Sequence, residues 1–303
     1  MRISEVGEFA LVERLKNLLG SEEIGDDCAH VRFGNSFLLL TTDILLEGVH
    51  FLPHYPPAAV GWKAISVNVS DVAGNGGRPV WALVSLILPD IEVSYVEDLY
   101  RGMREACEFY GCRIVGGNLS RGDRIGIDVF VVGESRRPVG RGGAKPGDAL
   151  FVTGTLGDSR AGLDLLLMNR KAHEDFERKL IERHLKPLVR TDLSGLVSEG
   201  ATASLDVSDG LVADAFHLAR RSRVRVEIET SELPLSEELM RFCEKYSRDP
   251  LEYALYGGED YQILFTSREP VALSGVRRIG TVSEGEGVWI DGRKAEPRGF
   301  RHF

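Results

Sequence analysis

The apolar residues of this chain follow two patterns, one typical of buried strands and the other of amphipathic helices. Continuous or alternating apolar runs predict strands at residues 31–40, 80–88, 113–115, 125–132, 149–153, 224–228 and 262–265. Apolar positions every three to four residues predict helices at 5–19, 60–71, 95–110, 158–168, 174–184, 193–199 and 211–221. Because strands and helices alternate, we predict an α/β or α+β fold with mixed sheets packed by helices.

A change in composition divides the chain into two parts. Residues 135–148 read SRRPVGRGGAKPGD, a stretch rich in Gly, Pro and Arg that is typical of a domain boundary. Strands and helices alternate on both sides of it, and a closing hairpin is predicted with its turn at Asp291 and Gly292. We therefore predict two domains, residues 1–137 and 138–303.

Composition and charge narrow the class of protein. The 303 residues are enough for two domains, and 43% hydrophobic with 27% charged residues is ordinary for a globular protein. The formal net charge is -9 and no Lys/Arg-rich run occurs, which argues against a nucleic-acid partner. The 4 cysteines match no zinc or disulfide spacing. No signal-peptide pattern or membrane-length apolar run occurs, so we expect a cytoplasmic protein without a membrane partner.

Aspartates in Gly-, Ser- and Thr-rich surroundings are the first candidates for chemistry: Asp26, Asp27, Asp43, Asp71, Asp206 and Asp209. Asp71 lies on the apolar stripe of its predicted helix, and a core-facing Asp is rare unless it is paired or binds a metal. Mg²⁺ prefers hard oxygen ligands, and the hydroxyls of Thr41 and Thr42 are compatible with it. Each Asp alone could instead belong to an exposed turn or a helix start. Together they predict a metal and phosphate site.

Glycine clusters and two histidines are weaker signals. The sequences GGN at 116–118 and GGED at 257–260 each adjoin a predicted strand. Glycines let backbone N–H groups approach phosphates, although turns use them routinely. No Walker A loop, protein-kinase catalytic loop or GxSxG motif occurs. His50 and His54 are four residues apart, but Pro53 between them argues against a zinc site on one helix face. His50 could instead contact an anionic substrate.

The chain also contains a series of longer motifs, in this order: GEFALVERL, IGDDCA, TTDILLEGVHF, VNVSD, GGNLSRG, GAKPGDALFVTGTLGDS, LDVSDGL, YGGEDYQILFT and GFRHF. Each motif is generic alone, but the ordered set spans nearly the whole chain and is specific. It resembles the thiamine-monophosphate kinase family. That family shares a superfamily with aminoimidazole ribonucleotide synthetase, selenophosphate synthetase and a hydrogenase maturation factor. The VHF, GGEDYQILFT and terminal Phe-x-His-Phe motifs favour the kinase over these relatives.

The resemblance implies transfer of the ATP γ-phosphoryl group to thiamine monophosphate, which gives thiamine diphosphate. It also implies two aminoimidazole ribonucleotide synthetase-like domains, the first of which forms a homodimer through its sheet. Several Mg²⁺ ions would be bound by Asp27, Thr41, Thr42, Asp43, Asp71, Asn118, Asp206 and Asp209. ATP would be held by Gly117, Asn118, Arg141, Ser208 and Tyr100. Thiamine monophosphate would contact His50, Glu259 and Phe300, with Phe300 stacking on an aromatic ring.

Two segments depart from the family pattern. Many members carry Asp where this chain has Asn118, and an amide oxygen can ligate Mg²⁺ but brings no charge. The sequence VAGNGGRP after Asp71 also departs from the expected Ala-Met-Gly-Ala, which concerns packing more than chemistry.

The implied reaction needs no strong general base, because the acceptor is a phosphate that is ionised near neutral pH. The obstacle is the approach of two polyanions. Mg²⁺ held by carboxylates such as Asp43 and Asp71, together with Arg141, would neutralise charge for an in-line displacement.

Other functional classes stay open from the sequence. A sister ATP-dependent synthetase is the nearest, although selenophosphate synthetase would need a reactive cysteine that Cys28 does not match well. A noncatalytic nucleotide- or metal-binding module would have less reason to keep so many potential metal ligands. A structural protein with solvated acidic turns is disfavoured by the apolar surroundings of Asp71.

Overall fold

The computed structural model describes residues 2–21, 24–168 and 172–299, and two β-sheets organise this part of the chain. The first sheet has the spatial order β1-β2-β5-β3-β4. Its strands are β1 (Ala29–Phe33), β2 (Ser36–Leu46), β3 (Arg78–Leu88), β4 (Arg113–Arg121) and β5 (Gly126–Ser135). The β3–β4 pair is parallel and the other pairs are antiparallel, so the sheet is mixed as predicted.

The second sheet follows the Gly/Pro/Arg-rich stretch and has the order β12-β11-β8-β10-β6-β9-β7. Its strands are β6 (Ala149–Thr153), β7 (Ala203–Asp206), β8 (Arg225–Ile228), β9 (Ile263–Ser267), β10 (Val276–Ser283), β11 (Gly287–Ile290) and β12 (Arg293–Lys294). The β8–β11 pair is parallel and the others are antiparallel. The predicted closing hairpin is present, with Asp291 and Gly292 at φ 47° and 77°.

Helices pack on and between the two sheets. They are α1 (Ile3–Val6), α2 (Glu8–Leu19), α3 (Pro57–Gly74), α4 (Val93–Tyr110), α5 (Asp158–Leu167), α6 (Asp175–Leu185), α7 (Ser194–Gly200), α8 (Leu211–Ser222), α9 (Glu237–Tyr246) and α10 (Pro250–Tyr256). Within the described ranges, none of these helices is both long enough and apolar enough to cross a bilayer.

Helix α3 contacts both sheets and is buried along most of its length. Most of the helix's own residues are apolar or small, and buried positions occur on all of its faces, which is typical of a helix enclosed by protein. Its approach to α4 depends on small residues, because a Cβ on Gly102 would lie 1.8 Å from the carbonyl oxygen of Ala58. Near its C-terminal end, a Cβ on Gly74 would lie 2.9 Å from the backbone nitrogen of Asp206 in β7. Helix α3 therefore carries its side chains directly to the junction of the two sheets.

Several predicted elements were wrong in extent. The helix predicted at 5–19 is interrupted at Gly7, whose φ of 75° is not helical, and forms α1 and α2. Residues 41–43 were expected at the end of a strand but lie inside β2, because pairing with β5 continues to Leu46. The strand predicted to stop before 116–118 continues through these residues as β4, which β3 pairs in parallel.

Short elements of the second half were not predicted: β7, β10, α9 and α10. These are local patterns of few residues whose conformation is decided by tertiary packing. The two sheets span residues 29–135 and 149–294, on either side of the predicted boundary. The exact domain limits of 1–137 and 138–303 stay a prediction.

Candidate active site

A cavity of about 1510 Å³ opens at the junction of the two sheets. Its volume exceeds the ~300–1,000 Å³ of an ordinary small-molecule site, which leaves room for more than one ligand. The residues that line it include most of those predicted from the motifs: Asp27, Thr41, Thr42, Asp43, His50, Asp71, Arg141, Asp206, Ser208, Asp209 and Glu259. The fold therefore brings together residues from both halves of the sequence.

Three carboxylates from separate elements meet in this cavity and form what we call the carboxylate cluster: Asp27, Asp71 and Asp206. One oxygen from each lies within 4.8 Å of the others. Burial, together with the charges of Asp43 and the other cluster members, raises the pKa of Asp71 well above its ordinary value. Burial and the charge of Asp27 raise the pKa of Asp206 to about 8. A buried set of hard oxygen donors that repel one another fits a divalent cation such as Mg²⁺.

Alternate residues of strand β2 form hydrogen bonds with helix α3 beside the carboxylate cluster. The hydroxyl of Thr41 donates a hydrogen bond of 2.5 Å to Asp71 Oδ2. Two residues on, the backbone N–H of Asp43 donates to Asn68 Oδ1 at 2.9 Å, which fixes the strand against α3. Because strand side chains alternate between faces, Thr41 and Asp43 share the face toward α3.

Thr42 takes the opposite face of the same strand. Thr42 is among the residues that border the cavity. Its exposed hydroxyl, however, donates a hydrogen bond of 2.7 Å to Asp128 Oδ1 on the outer face of the sheet. A role for Thr42 as a metal ligand stays a prediction.

Helix α3 ties the cluster together across the two halves. The hydroxyl of Ser70 donates to Asp206 Oδ2 at 2.6 Å, and this bond is buried. The amide of Asn75, just after the helix, donates to Asp27 Oδ2 at 3.2 Å. Consecutive turns of one helix therefore orient carboxylates that are far apart in the sequence.

Arg141 lies against the same carboxylates from the Gly-rich stretch between the sheets. Its guanidinium forms an ion pair with Asp27, and its Nε lies 3.1 Å from Asp27 Oδ1. Its backbone N–H donates to the Asp26 carboxylate at 3.1 Å. The charge of Asp27 raises the pKa of Arg141 despite its burial, so the guanidinium is a permanent cation at this wall.

The loop that carries Ser208 and Asp209 is ordered by an acid that the motifs did not single out. The buried carboxylate of Asp214 accepts hydrogen bonds from the backbone N–H groups of Ser208, Asp209 and Gly210 at 3.1, 3.2 and 3.1 Å. Asp214 lies in the first turn of α8, where an acidic residue is favoured by the helix dipole. That position was the sequence signal that could have identified it.

Glu259 forms another part of the cavity wall. Its backbone adopts φ 56° and its N–H donates to the carbonyl of Ser208 at 2.7 Å. Its side chain is 29% exposed, with Oε1 2.6 Å from Lys63 Nζ and Oε2 3.5 Å from His184 Nδ1. These partners lower the pKa of Glu259 against the effect of burial. Sequence reasoning did not identify Lys63 or His184.

His50 also lines the cavity, as predicted. Its Nδ1 accepts a hydrogen bond of 2.9 Å from the backbone N–H of Leu46, which closes the turn after β2. This bond fixes the ring at the cavity edge.

Comparison with known proteins assigns the family. The family model described as AIR synthase related protein, N-terminal domain, matches residues 25–135. The family model described as AIR synthase related protein, C-terminal domain, matches residues 145–289. A curated thiamine-monophosphate kinase from Aquifex aeolicus is 58% identical over 306 residues, covering 100% of both chains. The Escherichia coli K12 enzyme is 38% identical over 275 residues, covering 87% of this chain and 83% of its own. This chain belongs to the thiamine-monophosphate kinase family.

Solved structures agree with this family assignment. The structure described as AaThiL complexed with AMPPCP and TMP matches with a TM-score of 0.98 at 59% identity, covering 100% of this chain and 99% of its own. The hydrogenase maturation protein HypE of Escherichia coli matches with a TM-score of 0.69 at 21% identity, covering 96% of this chain and 98% of its own, and shares the fold. The prediction of two domains of the aminoimidazole ribonucleotide synthetase type is confirmed.

Some residues implied by the family resemblance do not line the cavity of this chain. Gly117 and Asn118 lie on the exposed edge strand β4, and Tyr100 is half-buried on α4. Phe300 lies outside the described residues. The roles implied for these four residues stay predictions.

Proposed function

We propose that this chain transfers the γ-phosphoryl group of ATP to the phosphate of thiamine monophosphate, giving ADP and thiamine diphosphate. The carboxylate cluster carries this proposal, because it lines the same cavity as Glu259 and that cavity has room for two ligands. Two relationships support it: the chain is 58% identical to a curated thiamine-monophosphate kinase, and its solved relative was complexed with the ATP analogue AMPPCP and with TMP.

The proposed step is a direct displacement. A phosphate oxygen of thiamine monophosphate attacks the γ-phosphorus of ATP, the bond from that phosphorus to the β–γ bridging oxygen breaks, and ADP leaves. The attacking oxygen is already ionised, so no side chain has to remove a proton. The residues of the site therefore serve to align two polyanions and to offset their repulsion.

The donor set of the cavity fits Mg²⁺. Asp27, Asp71 and Asp206 would hold it, with Thr41, Thr42, Asp43, Asn118 and Asp209 as further proposed ligands for several ions. Bound Mg²⁺ supplies charge neutralisation and a template for the phosphates. Arg141 adds a cation fixed by Asp27 at the same wall, next to Ser208, where we place the ATP phosphates.

We place thiamine monophosphate with its phosphate toward the carboxylate cluster and its rings toward Glu259 and His50. Thiamine carries a cationic thiazolium and an aminopyrimidine, and both are complementary to an ionised carboxylate. Phe300 is retained in this proposal as a stacking partner.

We also propose a homodimer through the first sheet. Its outer face presents apolar side chains that are 41–67% exposed: Val31, Phe33, Ile44, Trp81, Leu83 and Ile87. An apolar surface of this extent on one sheet face is typical of an interface. Gly117 and Asn118 lie on β4 at the edge of this face, so a nucleotide that contacts them would lie beside the interface. We further place the protein in the cytoplasm, with domains at 1–137 and 138–303.

The deciding experiment is ADP release from ATP and Mg²⁺ with thiamine monophosphate, with thiamine, or with no acceptor, combined with identification of the product. We expect turnover that depends on thiamine monophosphate and yields thiamine diphosphate. Asp43→Asn, checked for its native fold by circular dichroism, should abolish turnover. Phosphorylation of thiamine itself, or ATP binding without acceptor-dependent turnover, would overturn the proposal.

A further inference from the structure

A chain of buried polar groups lies behind the Glu259 wall of the cavity. Lys63 on α3 is 1% exposed, with its Nζ 2.6 Å from Glu259 Oε1. His184 on α6 is also 1% exposed, with its Nδ1 3.5 Å from Glu259 Oε2. The other contacts of His184 are Ser159 Oγ, 3.1 Å from Nδ1, and Tyr55 Oη, 3.0 Å from Nε2. Residues from both sides of the domain boundary thus converge on one carboxylate.

The ammonium of Lys63 is incompletely satisfied within the protein. Although the ion pair with Glu259 is short, Lys63 Nζ makes no well-aligned hydrogen bond to any of the described residues. A buried charge is strongly unfavourable unless it is paired, and breaking such a pair is more unfavourable still. Val60, Ala64 and Val67 around it on α3 are buried and apolar, so an apolar residue would fit this position as well. Among the described residues, the charged partner of this buried ammonium is Glu259.

The charges of the network are well defined. Burial and the neighbouring Lys63 lower the pKa of His184 to about 3, so the imidazole is neutral at physiological pH. Burial raises the pKa of Glu259, but the charge of Lys63 opposes this effect and favours the ionised carboxylate, so the pKa of Glu259 lies below its ordinary value. Neutral His184 adds no charge beside the second carboxylate oxygen, and its hydrogen bonds are to Ser159 and Tyr55.

The position of Lys63 on α3 separates it from the phosphate chemistry. Lys63 and Asp71 are eight residues apart on the same helix, which places them about 12 Å apart along its axis. Asp71 belongs to the carboxylate cluster, whereas Lys63 is paired with Glu259. A perturbation at Lys63 should therefore act on the ring end of a bound acceptor, not on the nucleotide.

We propose that Lys63 is a positioning residue that holds Glu259 ionised and oriented, and so sets the affinity for the cationic thiazolium end of the acceptor. This inference rests on the proposed function for the identity of the acceptor. It assigns Lys63 no contact with substrate, because its side chain is enclosed behind Glu259.

The test compares Lys63→Met, Lys63→Arg, Glu259→Gln and the double variant Lys63→Met/Glu259→Gln in steady-state kinetics. Lys63→Met should raise KM for thiamine monophosphate about tenfold or more, because it leaves the Glu259 carboxylate without its buried ion-pair partner. KM for ATP should change less than about threefold, and Lys63→Arg, which keeps the cation, should raise KM for thiamine monophosphate less than Lys63→Met does. Lys294→Met, an exposed lysine on β12, is the matched control and should behave as wild type.

The double variant distinguishes action through Glu259 from a general structural effect. If Lys63 acts through Glu259, adding Lys63→Met to Glu259→Gln should change KM for thiamine monophosphate less than about threefold, because the two effects are not additive. The double variant removes both charges together, so it stays testable even where Lys63→Met alone folds poorly.

Two results would overturn the inference: additive effects of the two substitutions, or equal increases in KM for both substrates. Failure of the proposed function is a separate outcome, since it would appear as wild-type protein without turnover of thiamine monophosphate. Wild-type turnover with acceptor KM independent of Lys63 would refute the role of Lys63 alone.

Discussion

Replacing Asp71 with Asn should stabilise the metal-free protein while abolishing its activity. The Asp71 carboxylate lies within 4.8 Å of carboxylate oxygens of Asp27 and Asp206. At such a distance and an effective dielectric constant of about 20, two unit charges repel by about 3 kcal/mol. The protein can relieve this repulsion by binding a proton, which at pH 7 costs at most about 4 kcal/mol for an Asp. We therefore expect Asp71→Asn to raise the free energy of unfolding by about 2–4 kcal/mol.

The substitution conserves the local geometry, so the effect isolates the charge. Asn keeps an oxygen that can accept the hydrogen bond from the Thr41 hydroxyl, which is 2.5 Å long in the native protein. An increase in the free energy of unfolding would be diagnostic of relieved charge repulsion, because most substitutions destabilise a protein, typically by about 1 kcal/mol.

Urea unfolding at pH 7, followed by tryptophan fluorescence, measures the effect in EDTA and in excess Mg²⁺. In EDTA the variant should be more stable than wild type. Mg²⁺ should reverse or remove this difference, because ligand at about 100 times its Kd stabilises the native state by about 2.7 kcal/mol and wild type binds it more tightly. Asp123→Asn, at an exposed position between β4 and β5, is the control and should change stability little.

A variant that is less stable than wild type in EDTA would refute this reasoning. Asp71 would then contribute to stability through Thr41 and its other contacts, and the carboxylate cluster would not be a repulsive site that requires a cation.

Three further predictions concern the pKa of Asp206, its hydrogen bond from Ser70, and the outer face of the first sheet. Burial raises the pKa of Asp206 to about 8 from 3.8, so its stabilising contribution is complete below pH 3.8 and is lost as pH rises toward 8. Thermal melts in EDTA should show this decline between about pH 4 and 8, and excess Mg²⁺ should reduce it at the alkaline end. Ser70→Ala removes the buried hydrogen bond to Asp206 and should lower the free energy of unfolding by about 1–3 kcal/mol in urea titrations, whereas an unchanged value would show that water replaces the hydroxyl. Leu83→Glu, at a side chain 41% exposed on the outer face of the first sheet, should convert a dimer into monomers in light scattering, and a persistent dimer would place the interface elsewhere.

Asp27, Asp71 and Asp206 could be predicted as candidate ligands because the signals that mark each of them are local. Helical periodicity alone places Asp71 on an inward face, and the short motifs that contain Asp27 and Asp206 adjoin strands. A carboxylate in an apolar setting requires a partner, so the pattern indicates that these residues must meet something charged. The number and direction of the surrounding hydrogen bonds could not be read in the same way, since they depend on contacts between distant segments.

The side-chain positions of Lys63 and Thr42 could not be predicted from local sequence patterns. A single lysine in an apolar helix is compatible with a side chain that extends to solvent, and only the position of Glu259 in the second half of the chain explains its burial. The orientation of Thr42 depends on strand parity, and the expected end of β2 at residues 41–43 hid that parity. An error of a few residues in a strand therefore changes which hydroxyls can reach a site.

Helix α3 connects the fold of this protein to its site. Its buried polar residues Lys63 and Ser70 pair with Glu259 and Asp206, both of which belong to the second half of the chain. Each of these groups would be unfavourable in an apolar environment without its partner, so the same contacts that dock the two sheets also orient the cavity walls. Separating the sheets would break both pairs and expose their polar groups to water. The spacing of polar residues on this helix thus couples domain docking to assembly of the site, and the site is complete only when the docking is correct.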